Sequence, residues 1–342
     1  MDVNDQDSPT ESPFPPSPPY RDRSTAILLM GLFVALIGLA CLGMVALMAV
    51  GVGAASAMSP GQGAPFRSTI PAMALYLAVA AFFLTTGIGS AMVRRWARAL
   101  LSVVSWMWLT VGVIALIVVT ALLPKIRTMF EAAMPHSAPA APAGLMVGCM
   151  VVALIVVYVA LPVPLALFYS GVNVRATFEA RDRPRWTDRL PTPLLGLFLV
   201  LAFWGFTALE MPLYGAFPVL GRLFSGASSW AFGLVFAAAT GAGAWWVWRR
   251  SILGWWVAVA LWVFAAVSST LTFAGNFDWN AYYVQMGLTE QQIQMTRGFS
   301  PEEMFANPLV VAIVVLTWLG IGAFLFWIKK LFAPPRALGP AV

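Results

Sequence analysis

The sequence predicts an all-α fold: a polytopic transmembrane helical bundle of eight helices, arranged as two parallel four-helix repeats. Three observations carry this. The 342-residue chain is 60% hydrophobic and only 10% charged, with a mean hydropathy of +0.83. Soluble domains carry about a quarter charged residues, so lipid must be the solvent for most of these side chains. Apolar stretches long enough to cross a bilayer recur along the whole chain. Short motifs also recur in the same order. Gly31-Leu32-Phe33 returns as Gly196-Leu197-Phe198, and Val151 to Val156 as Val310 to Val315. Gly87-Ile88-Gly89 followed by Arg94-Arg95 returns as Gly241-Ala242-Gly243 followed by Arg249-Arg250. The offsets are 165, 159 and 154 to 155, so order is kept while loop lengths drift.

Residues 1–24 are polar, acidic and Pro-rich, running Asp2, Asp5, Asp7, Glu11 and then Pro13 to Pro19. They cannot bury enough apolar area to offset chain entropy, which predicts a disordered cytoplasmic tail. Its PxxP spacing leaves an SH3-like partner open beside a plain solvated tail.

The first repeat, 25–170, holds spans at 25–50, 70–93, 97–123 and 145–170. The second, 193–331, holds spans at 193–213, 227–248, 251–274 and 308–330. Each has about 20 or more mostly apolar residues, which at 1.5 Å per residue crosses about 30 Å of hydrocarbon. Helices satisfy their own backbone groups in lipid, and single strands do not. Ala55-Ser56-Ala57 resembles a signal-peptide cleavage site, but the preceding tail is acidic and the apolar run is too long. The first span is therefore expected to be retained. Pro162 and Pro164 predict a kink in the fourth.

A cytoplasmic linker, 171–192, joins the repeats, and its Arg181 to Arg189 run is too polar to enter lipid. Residues 332–342 form a second cytoplasmic tail. On the outer side, 275–307 carries two capping-box patterns, Thr289-Glu290-Gln291-Gln292 and Ser300-Pro301-Glu302-Glu303, with Gly298 as a stop between them. Two short interfacial helices are expected there, with Ile293, Met295, Met304 and Phe305 turned to lipid or the bundle.

Orientation follows from basic residues. With the N-terminus inside, fifteen Lys and Arg fall on inside segments and five on outside ones. Eight spans then put both termini in the cytoplasm. An even number per half makes the repeats parallel, related by an axis along the membrane normal. Arginine far outnumbers lysine, and Ala, Gly and Pro are abundant. With the topology, this points to a bacterial inner membrane.

The net charge of +6 and pI of 9.7 do not imply nucleic acid, because the basic residues lie in short clusters at helix ends. Cys41 and Cys149 sit within apolar stretches and His136 is the only histidine, so no metal-ligand set of recognised spacing is present. No phosphate loop, nucleotide fingerprint or nucleophile motif occurs, so no cofactor and no catalytic residue is assigned.

The candidate chemistry is correspondingly sparse. The span cores hold no ionisable residue; Glu210, just before Pro212, is the nearest exception. It is a candidate polar-cavity residue with Arg222 as its partner, against a solvated position at headgroup depth. Arg94, Arg95, Arg249 and Arg250 are candidates for lipid-headgroup contacts. Ser268, Ser269, Thr270 and Thr272 could line a neutral path or bond their own helix carbonyls. Gly233, Ala237 and Gly241, and likewise Gly144 and Gly148, are spaced by four, which suits close helix packing or a homodimer contact. The tryptophans flanking Arg249-Arg250 fit an aromatic belt. The expected role is a non-catalytic membrane component: an accessory subunit, scaffold, or permease for a neutral small solute or lipid. A membrane-embedded enzyme acting on lipid is the alternative. Expected partners are membrane lipids and a second copy or another membrane protein.

Overall fold

The computed structural model describes residues 20–58, 64–133, 141–275, 277–288, 290–297 and 301–332. Among them are eight helices long and apolar enough to cross a membrane. They are built from α1 (Ser24–Met58), α2 (Ala64–Ala91), α3 (Arg95–Ala133), α4 with α5 (Ala141–Ile155 and Pro162–Ser170), α7 (Thr192–Glu210), α8 (Ala227–Trp248), α9 (Ile252–Ala274) and α13 (Pro308–Ile328). Between α5 and α7 runs the short helix α6 (Val172–Arg181). The chain is thus an all-α multi-pass bundle. Helix α1 continues unbroken through Ala55 to Ala57. Helix α3, with 39 residues, rises about 58 Å, so it extends well past the hydrocarbon on the side away from α6.

Sequence dictates how the helices meet. A Cβ on Gly31 would lie 2.5 Å from the Ala91 amide nitrogen, and one on Gly87 would lie 2.5 Å from that of Ala35. Gly38 meets the Leu84 amide in the same way, at 2.7 Å. Helices α1 and α2 therefore touch backbone to backbone along a seam that only glycine permits. The opposite face of α1 exposes Leu29, Leu32, Leu36, Leu39 and Leu47; in a bilayer these face lipid.

The fourth span breaks as its prolines predict. A π-helical turn, Val156–Ala160, separates α4 from α5, and the Leu161 amide reaches back five residues to the Val156 carbonyl at 3.0 Å. Pro162 supplies no amide, so the ladder must be interrupted here. The bulged backbone seats on Gly112 of α3, whose Cβ would lie 2.5 Å from the Tyr158 carbonyl oxygen.

Among the described residues, three apolar clusters fill the bundle. One joins α1, α2, α3, α5 and α6 around Leu101, Leu165, Tyr169 and Phe178. A second joins α3, α7, α8, α9 and α13 around Leu194, Leu201, Val247, Trp255 and Ile328. The third, Leu122, Ile126, Val147 and Val310, ties α3 and α4 to α13 at the far end. Helix α3 belongs to all three and is the post on which both halves lean. Among the described residues, α9 makes no comparable packing with α1 or α4.

The turns α2–α3 and α8–α9 share one geometry. In each, a residue of positive φ follows the helix, Val93 at 56° and Arg250 at 53°. Arg94 N bonds the Gly89 carbonyl, and Ser251 N bonds that of Trp246. This six-residue closure satisfies the last helix carbonyls. The structural counterpart of Val93 is thus Arg250. The two loops are equally long, 92–94 and 249–251, so Arg94 corresponds to Ser251 and the paired arginines do not occupy equivalent positions in the two turns.

Two features were not expected from sequence. Residues 216–225 form a β-hairpin, β1 (Ala216–Val219) antiparallel to β2 (Arg222–Ser225). Its two-residue loop, Leu220-Gly221, has φ of 51° and 73°, the left-handed pair that a tight hairpin demands. The segment after α9 also holds three short helices rather than two: α10 (Trp279–Gln285), α11 (Glu290–Arg297) and α12 (Pro301–Phe305). The extra one, α10, is capped by Asp278, whose carboxylate accepts from Ala281 N at 2.9 Å. Residues 1–19, Thr289, Gly298, Ser300 and 333–342 lie outside the described residues, and so do the expectations attached to them.

Candidate functional site

The hairpin lies against the bundle instead of standing in solvent. Ser268 Oγ accepts from the Leu220 amide at 3.0 Å, and Thr272 Oγ1 accepts from the Gly221 amide at 3.1 Å. The two hydroxyls are one helical turn apart on the same face of α9. They supply partners for two amides of the hairpin loop that the β ladder leaves unpaired. Ser269 and Thr270 instead donate to the Ala266 carbonyl.

Beneath the hairpin is a cavity of about 320 Å³ between α7, α8, α9 and β1. Phe217 comes from β1, Phe232 and Phe236 from α8, and Phe264 and Phe273 from α9; Trp204 closes the α7 side. Phe232 is the hub, with ring centroids 5.6 Å from Phe217, 5.8 Å from Phe236 and 6.0 Å from Phe264. Hydroxyls dot the wall, and three have their donors spent on their own helix: Thr207 on the Trp204 carbonyl, Ser229 on Gly226, Ser269 on Ala266. Ser268 and Thr272 also line it and accept from the hairpin amides. Among the described residues, no charged side chain lines it. Ligand sites of about 300–1,000 Å³ with mostly apolar walls are the ordinary form of a small-molecule pocket.

A second cavity, of about 450 Å³, lies on the other side of α9 against α13 and α12, with Val311, Val315, Trp318 and Phe305 on its wall. Ser269 and Phe273 border both cavities. Phe273 is held by stacking on Phe305 at 4.8 Å and on Trp279 at 5.5 Å. Ile293 is buried and Met304 packs on the Leu122–Val310 cluster. Burial raises the Tyr282 phenol in the same aromatic group above its ordinary pKa.

Glu210 does not project freely into water. It is 7% exposed, and its Oε1 is buried without a hydrogen-bond partner. It does not line either cavity, although its neighbours Ala208 and Met211 line the first. Arg222 stands exposed on β2 and makes no ion pair with Glu210 among the described residues. The sequence brought these two together; the hairpin turns Arg222 outward.

The glycine sets divide. Gly233 is buried, and its Cβ would lie 2.6 Å from the Ala208 carbonyl oxygen. Its partner in holding α7 to α8 is the contact of Gly205 with Thr240. Ala237 is half-buried, while Gly241, Gly144 and Gly148 meet nothing within 4 Å in this chain. The i+4 spacing alone hid this, because Thr240 rather than Gly241 falls on the contact face.

The four arginines proposed for lipid headgroups are largely engaged by the protein itself. Arg94 pairs with Asp182 at 3.5 Å. Arg95 donates to the Glu179 carbonyl at 2.6 Å and lies 3.9 Å from Asp188. Arg249 stacks over Trp245 at 4.6 Å, and Arg250 donates to the Arg189 carbonyl. Asp182 is the hub of the first group. Its side-chain bond with Arg185 and the backbone amide of Arg95, at 3.0 Å, hold its carboxyl down to about 2. It thereby caps α3 from a distance, through a residue 87 positions away that no local pattern reveals.

No family model, curated protein or solved structure matches the chain. The functional reading therefore rests on the geometry alone.

Proposed function

We propose that the chain is a non-catalytic component of a bacterial inner membrane that holds an apolar or weakly polar ligand beneath the outer hairpin. A neutral small solute or a lipid acyl chain fits this description. The observation that supports it is the cavity wall: aromatic rings, no charged side chain among the described residues, and hydroxyls most of which already bond the protein's own backbone. Such a wall offers shape and dispersion contacts but few directed hydrogen bonds, so it discriminates against polar ligands. The fifteen-to-five division of Lys and Arg supports a cytoplasmic side for both termini.

In the same reading the bundle is two parallel repeats, 25–170 and 193–331, joined by the linker at 171–192. Support comes from the shared turn geometry after α2 and α8, and from glycine-mediated pairing of α1 with α2 and of α7 with α8. The pairing of halves is not a closed ring, because α3 reaches across to α7 and α13 without a matching reach by α9.

Native mass spectrometry of the full chain, released from detergent, tests the ligand. The wild type is expected to retain a co-purified lipid or apolar molecule. Ala265→Phe, which fills the first cavity from its wall, is expected to lose it at an unchanged thermal midpoint. Equal retention by both proteins would overturn the reading.

A further inference from the structure

On the cytoplasmic side, one arginine lacks what its neighbours have. Arg98 stands one turn beyond Arg95 on α3. It feels the charges of Arg175, Glu179, Asp188 and Arg95, yet among the described residues its side chain has no hydrogen bond or ion pair. The carboxylates nearby are committed elsewhere. Glu179 accepts from Arg175 at 2.7 Å, Asp188 from the Arg185 amide at 2.7 Å, and Asp182 from Arg185 at 3.0 Å. Among the described residues, five arginines (Arg94, Arg95, Arg98, Arg175 and Arg185) thus share three carboxylates, which leaves the cluster short of negative charge.

The donors are placed for an acceptor that the described residues do not supply. The Nε atoms of Arg95 and Arg98 are both buried without a partner, on consecutive turns of one helix face. Arg98 is only half-buried, so its terminal nitrogens reach the surface. This is the first turn of a spanning helix, the depth at which phosphates of the inner leaflet lie. A hidden donor left unsatisfied is costly, and an oxyanion with several lone pairs is the acceptor that guanidinium forks match best.

We propose that Arg98, flanked by Arg95 and Arg175, is a binding site for a phosphate oxyanion, supplied by the headgroup of an anionic inner-leaflet lipid. The site does not depend on the cavity near the hairpin, which lies at the other end of the bundle.

The experiment uses the full chain in nanodiscs of phosphatidylcholine containing a minor share of phosphatidylglycerol. Lipids retained after release are counted by native mass spectrometry. Arg98→Gln is expected to lower retained phosphatidylglycerol roughly tenfold, as loss of a charge-assisted bond implies. Arg183→Gln removes the same charge from an exposed linker position and is expected to leave retention unchanged. Equal loss in both variants would overturn the proposal, because retention would then follow net charge alone. If Arg98→Gln does not accumulate, Arg98→Lys carries the test. It keeps the charge but not the fork, so weaker retention supports the site and full retention overturns it. A parallel arm titrates inorganic phosphate in pure phosphatidylcholine discs. Arg98-dependent binding there assigns the oxyanion to a soluble source and overturns the lipid assignment. Arg98-dependent lipid retention with no phosphate binding supports the headgroup.

Discussion

Helices α1 and α2 and helices α7 and α8 are both antiparallel pairs drawn together by small residues, yet they are packed to different ends. In the first pair, three glycines set backbone on backbone along the seam, and a Cβ at Gly31 or Gly87 would come within 2.5 Å of an amide nitrogen. No side chain larger than glycine's fits at these three positions. In the second pair, Gly233 gives a similarly close approach to the Ala208 carbonyl. The neighbouring positions, however, are Phe232 and Phe236, which open outward to rings from β1 and α9. Close contact at one glycine with bulk beside it leaves a cavity; close contact along a whole seam leaves a strut. The same pairing rule therefore gives a rigid element in one half and a ligand-sized space in the other.

The most damaging way to break this contrast is to load the first seam. Gly87→Leu is expected to cost about 3 kcal/mol or more, since backbone and not a flexible side chain stands in the way. Thermal unfolding in detergent should show a large fall in midpoint, or the protein should fail to accumulate. A variant as stable as the wild type would mean that α1 and α2 are not apposed at Gly87.

The second half should respond next at its hairpin. The joint change Ser268→Ala with Thr272→Ala removes the acceptors for the Leu220 and Gly221 amides. Leu220 is exposed and Gly221 half-buried, so losing the two bonds is expected to cost about 0.5–1.5 kcal/mol each, the net worth of an ordinary hydrogen bond. Hydrogen exchange at Leu220 and Gly221 should accelerate strongly while exchange along the α1–α2 seam stays as it was. Unchanged exchange at the loop would show that the hairpin is held by its phenylalanines alone.

The shared turns differ in how the following helix is capped, and pH separates them. Ser251 caps α9 with its own side chain, accepting from Leu253 N at 3.3 Å. Helix α3 is capped by the distant Asp182. A carboxyl at about 2 in the folded chain, against an ordinary value of 3.8, stabilises the fold above the ordinary value. That contribution is lost as pH falls from about 4 towards about 2. Because Arg94 and Arg185 are nearly half exposed, screening reduces the contribution to about 1 kcal/mol. Asp182→Asn should lower the midpoint modestly at neutral pH and flatten its decline on acidification. An identical acid profile for wild type and variant would remove Asp182 from the cap.

What was legible in the sequence follows from what is local. The eight spans came out within a few residues at the α7, α8, α9 and α13 ends, because hydropathy over about twenty residues is a solvent statement. The break at Pro162 was legible because a missing amide acts on its own helix. The hairpin was not, because Leu220-Gly221 is a poor turn signal beside Asn-Gly, and its amides are satisfied by hydroxyls some fifty residues on. The cavity was not, because it depends on which face of α8 turns to α9. Ser268 and Thr272 were singled out as polar residues within a span, but their hairpin role needs the fold. Arg98 was visible only as one of many basic residues; its lack of a partner appears once Glu179, Asp182 and Asp188 are seen engaged.

The smallest expected effect concerns Gly241 and Gly148, and it tests whether glycine spacing carries meaning without a partner. Neither would bring a Cβ within 4 Å of another atom in this chain, and both face outward. Leucine there adds a side chain to lipid and improves helix propensity by roughly 0.5–1 kcal/mol relative to glycine. Gly241→Leu and Gly148→Leu should therefore leave the thermal midpoint unchanged or slightly raised, in sharp contrast to Gly87→Leu on the same scale. The reverse outcome is informative for a specific reason. If either variant falls in stability, or shifts from a larger to a smaller species in size-exclusion chromatography, the open face must be covered by a helix outside this chain. The small-residue spacing at 233–241 or 144–148 would then mark contact with a second copy, and the smooth lipid-facing side of the bundle would be an interface.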